Sequence, residues 1–169
     1  NAILVLTGLS PSAHARSSAQ DPRPGWWEKM IGPGRAIDTD HFFVICVNNL
    51  GSCFGSTGPA SLDPKTGRPY GPTFPELSIE DLATAAHGVV ENLGITRLHA
   101  LVGPSMGGFT ALAYALQYPQ AVRRLMMISS AARPEARTIA VHSLQREAIR
   151  VDPLWNEGHY DNESRPNAG

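Results

Sequence analysis

The chain has 169 residues, with 14 Lys and Arg against 15 Asp and Glu, so its net charge is -1 and its pI about 6.6. No basic field exists to hold a polyanion or an acidic membrane surface, which argues against nucleic-acid binding. Hydrophobic residues at 42% and charged ones at 17% specify a buried core rather than disorder, and the length fits one domain.

No apolar run approaches the roughly 18 residues of a membrane span, and no basic then apolar leader is present, so a soluble protein is expected. Cys46 and Cys53 are too few for a disulfide framework or a cysteine zinc site. A reducing, cytoplasmic compartment without a bound metal is the expectation.

In chain order, the first predicted element is a strand over Ile3 to Thr7. The chain opens on Asn1 with no initiator Met, and Ala2-Ile3-Leu4-Val5-Leu6 is already a continuous apolar run, so this element belongs to an interior. A long irregular stretch from Gly8 to Asp40 leads to a second strand, Phe42 to Val47. A second such stretch, Asn48 to Leu77, ends at Ser78-Ile79-Glu80-Asp81, a capping-box-like helix start. Leu82, Ala86, Val89, Val90 and Leu93 then recur at helical spacing until Gly94. Leu98 to Val102 is a third strand. Phe109, Leu112, Ala113 and Leu116 mark a second helix, ended by Pro119. Leu125 to Ser129 is a fourth strand. A third helical pattern through Ile139, Ser143, Leu144 and Ala148 runs up to Asp152-Pro153, and Asn156 to Gly169 is polar and poorly periodic.

This alternation predicts an α/β fold with a mostly parallel sheet and right-handed crossover helices. The two long loops, which hold most of the 16 glycines and 14 prolines, should share the carboxyl end of the sheet, where ligands bind in open α/β folds.

The strongest chemical signal is Gly103-Pro104-Ser105-Met106-Gly107-Gly108, a G-x-S-x-G run directly after a buried strand and directly before an amphipathic helix. That is the context of a nucleophile elbow. A serine in so tight a turn needs small residues two positions before and two after it, because strand and helix backbones pass closely there. Gly103 and Gly107 meet that need, and Gly108 adds room. The turn lifts the Ser105 hydroxyl clear of the sheet beside amides at the helix N-terminus that favour an oxyanion. The bland alternative is a glycine-rich strand-to-helix turn without chemistry. A Walker-type phosphate loop is excluded, because no Gly-Lys-Ser/Thr follows, and the dinucleotide glycine spacing is missing.

A second oxyanion donor is expected in the loop after an earlier strand. That loop is Thr7-Gly8-Leu9-Ser10, so the amide of Leu9 is paired with that of Met106; the same spacing also fits an ordinary tight turn. A serine nucleophile needs a histidine to take its proton and an acid to orient that histidine. The histidines after Ser105 are His142, in the third helical pattern, and His159, in the polar stretch. Neither follows a late strand, so both read as surface or packing residues. The base and acid are therefore expected outside the chain, and residues 1–169 are expected to be part of a larger catalytic domain.

His14 reads as a loop histidine, Trp26-Trp27 as a loop anchor, Cys46 as inert packing, and Asp38 with Asp40 as turn formers. The competing readings are weaker: His14 as a histidine near the presumed site, Trp26-Trp27 as the lining of a ligand tunnel, and Asp38 with Asp40 as paired carboxylates.

Taken together, Gly25-Trp26-Trp27-Glu28, the stretch Ile31-Gly32-Pro33-Gly34-Arg35-Ala36-Ile37-Asp38-Thr39-Asp40, Asn49 through Gly55-Ser56-Thr57-Gly58-Pro59, Pro69-Tyr70-Gly71-Pro72 and the Ser105 elbow resemble the homoserine O-acetyltransferase family of α/β-hydrolase acyltransferases. Leu9-Ser10-Pro11-Ser12-Ala13-His14-Ala15, Gly51-Ser52-Cys53 and Ser143-Leu144-Gln145-Arg146-Glu147-Ala148-Ile149 look closest to the branch that acylates serine. The resemblance implies an α/β-hydrolase fold with a nucleophile elbow after a central strand. It also implies a ping-pong reaction in which Ser105 takes an acetyl or succinyl group from acetyl-CoA or succinyl-CoA. The group then passes to the hydroxyl of L-homoserine or L-serine, toward methionine or cysteine synthesis, with no bound cofactor. By position Ser105 matches the family's nucleophile, and Leu9 and Met106 its oxyanion donors. The family's catalytic Asp and His, and its carboxylate-binding arginine, would fall after Gly169, as would the helical lid through which members dimerise. Pro104 departs from the glycine often found before the nucleophile.

Two other classes compete: a serine esterase with the same elbow, in which water replaces the amino acid, and a folded remnant without catalysis. Composition does not separate transferase from esterase.

Overall fold

The computed structural model describes residues 1–160 and 163–167. The chain divides into two compact units, Asn1–Ser56 with Leu77–Ala132, and Thr57–Glu76 with Arg133–Gly169.

The first unit is built on β1, Ala2–Leu6, which is buried along its whole length. Parallel neighbours flank it: β2, Phe43–Val47, on one side and β3, Ala100–Pro104, on the other. The fourth strand, β4 (Leu125–Ile128), pairs in parallel with β3, giving the order β2-β1-β3-β4. Leu4 lies opposite Ile45 in β2 and Leu101 in β3. Side chains alternate across a strand, so the unbroken apolar run of β1 requires cover on both faces. Ala2, Leu4 and Leu6 pack with Ala83, Ala86 and Val90 of α1 (Ile79–Asn92) and Ala111 and Tyr114 of α2 (Met106–Gln117). On the other face Ile3 and Val5 pack with Ala15, Ile31 and Ile37 from the long loop after β1, with Trp26 and Trp27 against them. Leu4, Val5 and Leu6 are fully buried, each worth about 1.5–3 kcal/mol relative to exposure.

The start of α1 has the expected capping box: the Ser78 hydroxyl accepts from the Asp81 amide and the Asp81 carboxylate accepts from the Ser78 amide. Gly94 takes φ +71° just past its end, where the missing Cβ removes the left-handed penalty.

Several strand boundaries differ from the sequence reading: β1 runs Ala2–Leu6 rather than Ile3 to Thr7, and β2 starts at Phe43 rather than Phe42. Leu98 is fully buried yet outside β3, because its backbone pairs with the 121–123 connection instead: its amide donates to Ala121 O and its carbonyl accepts from Arg123 N. The strand runs instead through Gly103 and Pro104, and the Ser105 amide continues the ladder to Ile128 O at 2.9 Å. Ser129 leaves β4 because its φ is +49°. The helix α2 opens at Met106, directly after Ser105, as the elbow motif implies. The expected stripes hold in part: Ala86, Val90 and Ala113 are buried, whereas Val89, Leu93 and Leu116 are exposed and Ala83 and Ala111 face the core in their place. Small residues on both helices let the backbones approach, which turns the larger leucines outward.

The second unit holds α3, Ala136–Arg150, over the third predicted helical pattern; none of its residues is buried. Two single 3-10 turns, Gly71–Thr73 and Asn156–Gly158, accompany it. Tyr70 and Phe74 meet edge to face, and buried Asp152 accepts from the amides of Leu154 and Asn167. Of the predicted polar stretch Asn156 to Gly169, positions 161–162 and 168–169 lie outside the described residues.

Candidate active site

Ser105 sits between the end of β3 and the first residue of α2 with φ 53° and ψ -122°. This is a left-handed backbone at a residue with a Cβ, a strained conformation that persists only where its surroundings enforce it. The enforcement is visible at the glycines. A Cβ on Gly103 would lie 2.1 Å from Gly107 O, and one on Gly107 would lie 2.2 Å from Leu6 O. Strand, turn and helix therefore cross at backbone contact, and any larger residue would push them apart. The side chain of Ser105 is exposed, and its hydroxyl makes no hydrogen bond with any described residue. The expected sharp turn and outward hydroxyl are both present.

The turn Thr7-Gly8-Leu9 leaves the carboxyl end of β1 beside this elbow. A Cβ on Gly8 would lie 3.8 Å from both Pro104 O and the Ser105 Cβ. The Leu9 amide makes no hydrogen bond among the described residues, and the Met106 amide, at the first position of α2, has no acceptor within its helix. Two free donors thus flank the turn that carries Ser105. The order β2-β1-β3 brings them together, because parallel neighbouring strands place their carboxyl ends side by side.

The histidines of this unit are engaged elsewhere. His14 Nε2 meets Arg23 O at 2.8 Å and its Nδ1 lies 3.6 Å from Asp21. His41 lies near Asp38, and His99 faces Arg124 and Phe42. Burial and the arginines nearby push His99 below the ordinary histidine range. His87 stacks on Tyr118 at 3.6 Å and meets the buried Tyr114 hydroxyl at 2.9 Å. In the second unit, His142 contacts Gln145 on the exposed face of α3, and His159 is exposed. No described histidine hydrogen-bonds Ser105.

The other sequence candidates are structural. Trp26 and Trp27 stack with centroids 5.0 Å apart, and Trp26 Nε1 donates to Ser12 O, anchoring the long loop. Asp38 accepts from the amides of Gly34 and Asp40, as a turn former does. Burial pushes the Cys46 thiol up to about 12. Among the described residues no cluster of His, Cys, Asp or Glu fit to hold a metal ion is found, and no helix is long and apolar enough to cross a membrane.

Two polar residues beside the elbow escaped the sequence reading. Asn49, just past β2, donates from Nδ2 to the buried Thr7 Oγ1 at 3.1 Å and to Gly8 O at 3.4 Å. Ser130, just past β4, has a buried hydroxyl without a partner among the described residues, packed against Gly108. A short amide directly after a strand was the available signal for Asn49; nothing local marks Ser130.

A sheet of parallel strands, a strained serine between strand and helix, and free amides on both sides define a class of protein. The family profile for the alpha/beta hydrolase fold matches residues 1–169, and the chain belongs to that family. Among curated relatives, it is 60% identical over 169 residues to the serine O-succinyltransferase of Xanthomonas campestris pv. campestris (strain B100), covering all of this chain and 44% of that protein. It is 59% identical over 169 residues to the L-serine/homoserine O-acetyltransferase of Streptomyces lavendulae, covering all of this chain and 45% of that protein. The chain thus spans less than half the length of these relatives. Among solved structures it resembles the homoserine O-acetyltransferase from Bacillus anthracis, with a TM-score of 0.88 and 38% identity over 96% of this chain and 46% of that one. It also resembles esterase E22, with a TM-score of 0.89 and 40% identity over 98% of this chain and 47% of that one.

Proposed function

We propose that this chain carries the nucleophile of an acyltransferase that moves an acetyl or succinyl group from acyl-CoA to the side-chain hydroxyl of L-serine or L-homoserine. The observation that carries the proposal is the strained, exposed Ser105 between two free backbone amides. The relatives' names supply the substrate class.

Ser105 Oγ attacks the thioester carbonyl and gives up its proton to a general base. The carbonyl oxygen becomes an oxyanion, held by the amides of Leu9 and Met106. Collapse expels CoA as the thiol and leaves an acyl-serine. The acceptor hydroxyl then attacks that ester, and Ser105 recovers its proton. Gly103 and Gly107 contribute by allowing the crossing that strains the turn. The described residues bring no base to Ser105. We assign the base and its acid to a part of the whole protein outside these 169 residues, a reading supported by the matched relative being more than twice as long as the span it shares with this chain. The cytoplasm, where acyl-CoA and free amino acids meet, is the compartment this reading assigns.

The likeness to esterase E22 favours a second reading, in which water accepts the acyl group. Incubating the complete protein, which includes the base and acid that these 169 residues do not bring to Ser105, with acetyl-CoA or succinyl-CoA, with and without each amino acid, separates the two; the 169 residues alone are expected to show negligible turnover. CoA release that depends on L-serine or L-homoserine is expected; release at the same rate without an acceptor would favour the hydrolase.

A further inference from the structure

We propose that Asn49 is a positioning residue that aims the Leu9 amide at the oxyanion; this inference rests on the acyl-serine reading above. A trans peptide unit is planar, so the carbonyl oxygen of one residue and the amide hydrogen of the next point in opposite directions. No cis peptide bond occurs among the described residues. Whatever holds Gly8 O therefore also fixes where the Leu9 N–H points. Asn49 Nδ2 holds it, at 3.4 Å, while its shorter bond to Thr7 Oγ1, 3.1 Å, anchors the same amide group to a fully buried residue.

The other donor is aimed by the same device. Ser105 O accepts from Gly108 N at 2.9 Å, which orients the Ser105–Met106 peptide and turns the Met106 N–H the other way. The helix holds one donor through its own backbone. The turn after β1 has no helix behind it, and a side chain from the neighbouring strand takes that part. The adjacent Asn48 does not share it: its amide accepts from Ala13 N and donates to Phe54 O, farther along the two loops.

The test uses the complete protein, base and acid included, carrying Asn49→Ala or Asn49→Asp, the second keeping the side-chain shape while losing both N–H donors. Acylation of Ser105 by p-nitrophenyl acetate is followed per titrated site by burst kinetics, with the adduct located by peptide mass spectrometry. Misplacing a catalytic group by about 1 Å costs up to about 100-fold, so a fall of about 10- to 100-fold in the acylation rate is expected in both variants, with KM within about threefold. A wild-type acylation rate, or a loss confined to KM, would overturn the assignment. So would failure of both variants to fold, which would give Asn49 to stability alone. If the unsubstituted complete protein forms no adduct on Ser105, the acyl-serine reading itself falls, a result distinct from each of these.

Discussion

Gly8 stands against Ser105 at ordinary contact distance: a methyl built on Gly8 would lie 3.8 Å from the Ser105 Cβ and 3.7 Å from Pro11 Cδ. The turn after β1 and the turn after β3 meet because the two strands are parallel neighbours, with Val5 opposite Val102. The closeness is of a different kind at Gly107, whose own Cβ would lie 2.2 Å from Leu6 O and 2.7 Å from Thr7 O.

That difference gives two opposite mutational outcomes. Gly107→Ala drives a methyl into backbone that has no rotamer to yield, and a loss of about 3 kcal/mol or outright unfolding is expected. Gly8→Ala is expected to stay within about 1 kcal/mol, because ordinary van der Waals space awaits it. Urea denaturation of both variants is the check, and equal midpoints would refute the crossing described here.

The long loop after β1 depends on an ionised Glu28. Hydrogen bonds from the Ser17 hydroxyl, the Ser17 amide and the Gly25 amide lower its carboxyl from 4.5 to about 2, with Arg16 adding a smaller attraction. A carboxyl held below its unfolded value stabilises the fold above pH 4.5, and this contribution fades as pH falls toward about 2. Glu28→Gln should therefore be less stable than the unsubstituted chain at neutral pH, and the gap should close across that window. Unfolding measured against pH reads it directly; a gap constant down to pH 2 would contradict the assignment.

The two cysteines should differ sharply in reactivity. Cys53 is exposed, whereas Cys46 lies in β2 with its thiol pushed up to about 12 by burial. The thiolate is the reactive form, so one equivalent of a thiol reagent should react quickly in the folded chain and a second only in denaturant. Two fast equivalents without denaturant would show that β2 opens.

The sheet and the elbow were legible in the sequence for physical reasons. The buried strands β1 and β3 read as unbroken apolar runs, as do β2 and β4 although Phe43, Leu125 and Met126 are exposed, and the strained turn at Ser105 demands the glycines at 103 and 107. Leu98 misled because hydrophobicity reports burial, not pairing partner, and Leu98 is as buried as any strand residue. The helix stripes are legible at Ala86, Val90 and Ala113, which are buried, but not at Leu93 and Leu116, which are larger than the alanines that face the core and turn outward; the closeness of α1 to α2 is a tertiary fact. For Asn49 the only local signal is a short amide just after a strand; what it bonds to lies 42 and 41 positions away, so its role is not legible from its neighbours.

The most direct test of the whole account is the fate of Ser105 when the complete protein, base and acid included, meets acyl-CoA without an acceptor. Rapid quenching, digestion and peptide mass spectrometry should find one acyl group on the peptide that contains Ser105, removed on addition of L-serine or L-homoserine and missing in a folded Ser105→Ala variant. An acyl group on another residue, or acyl transfer that persists in Ser105→Ala, would contradict it.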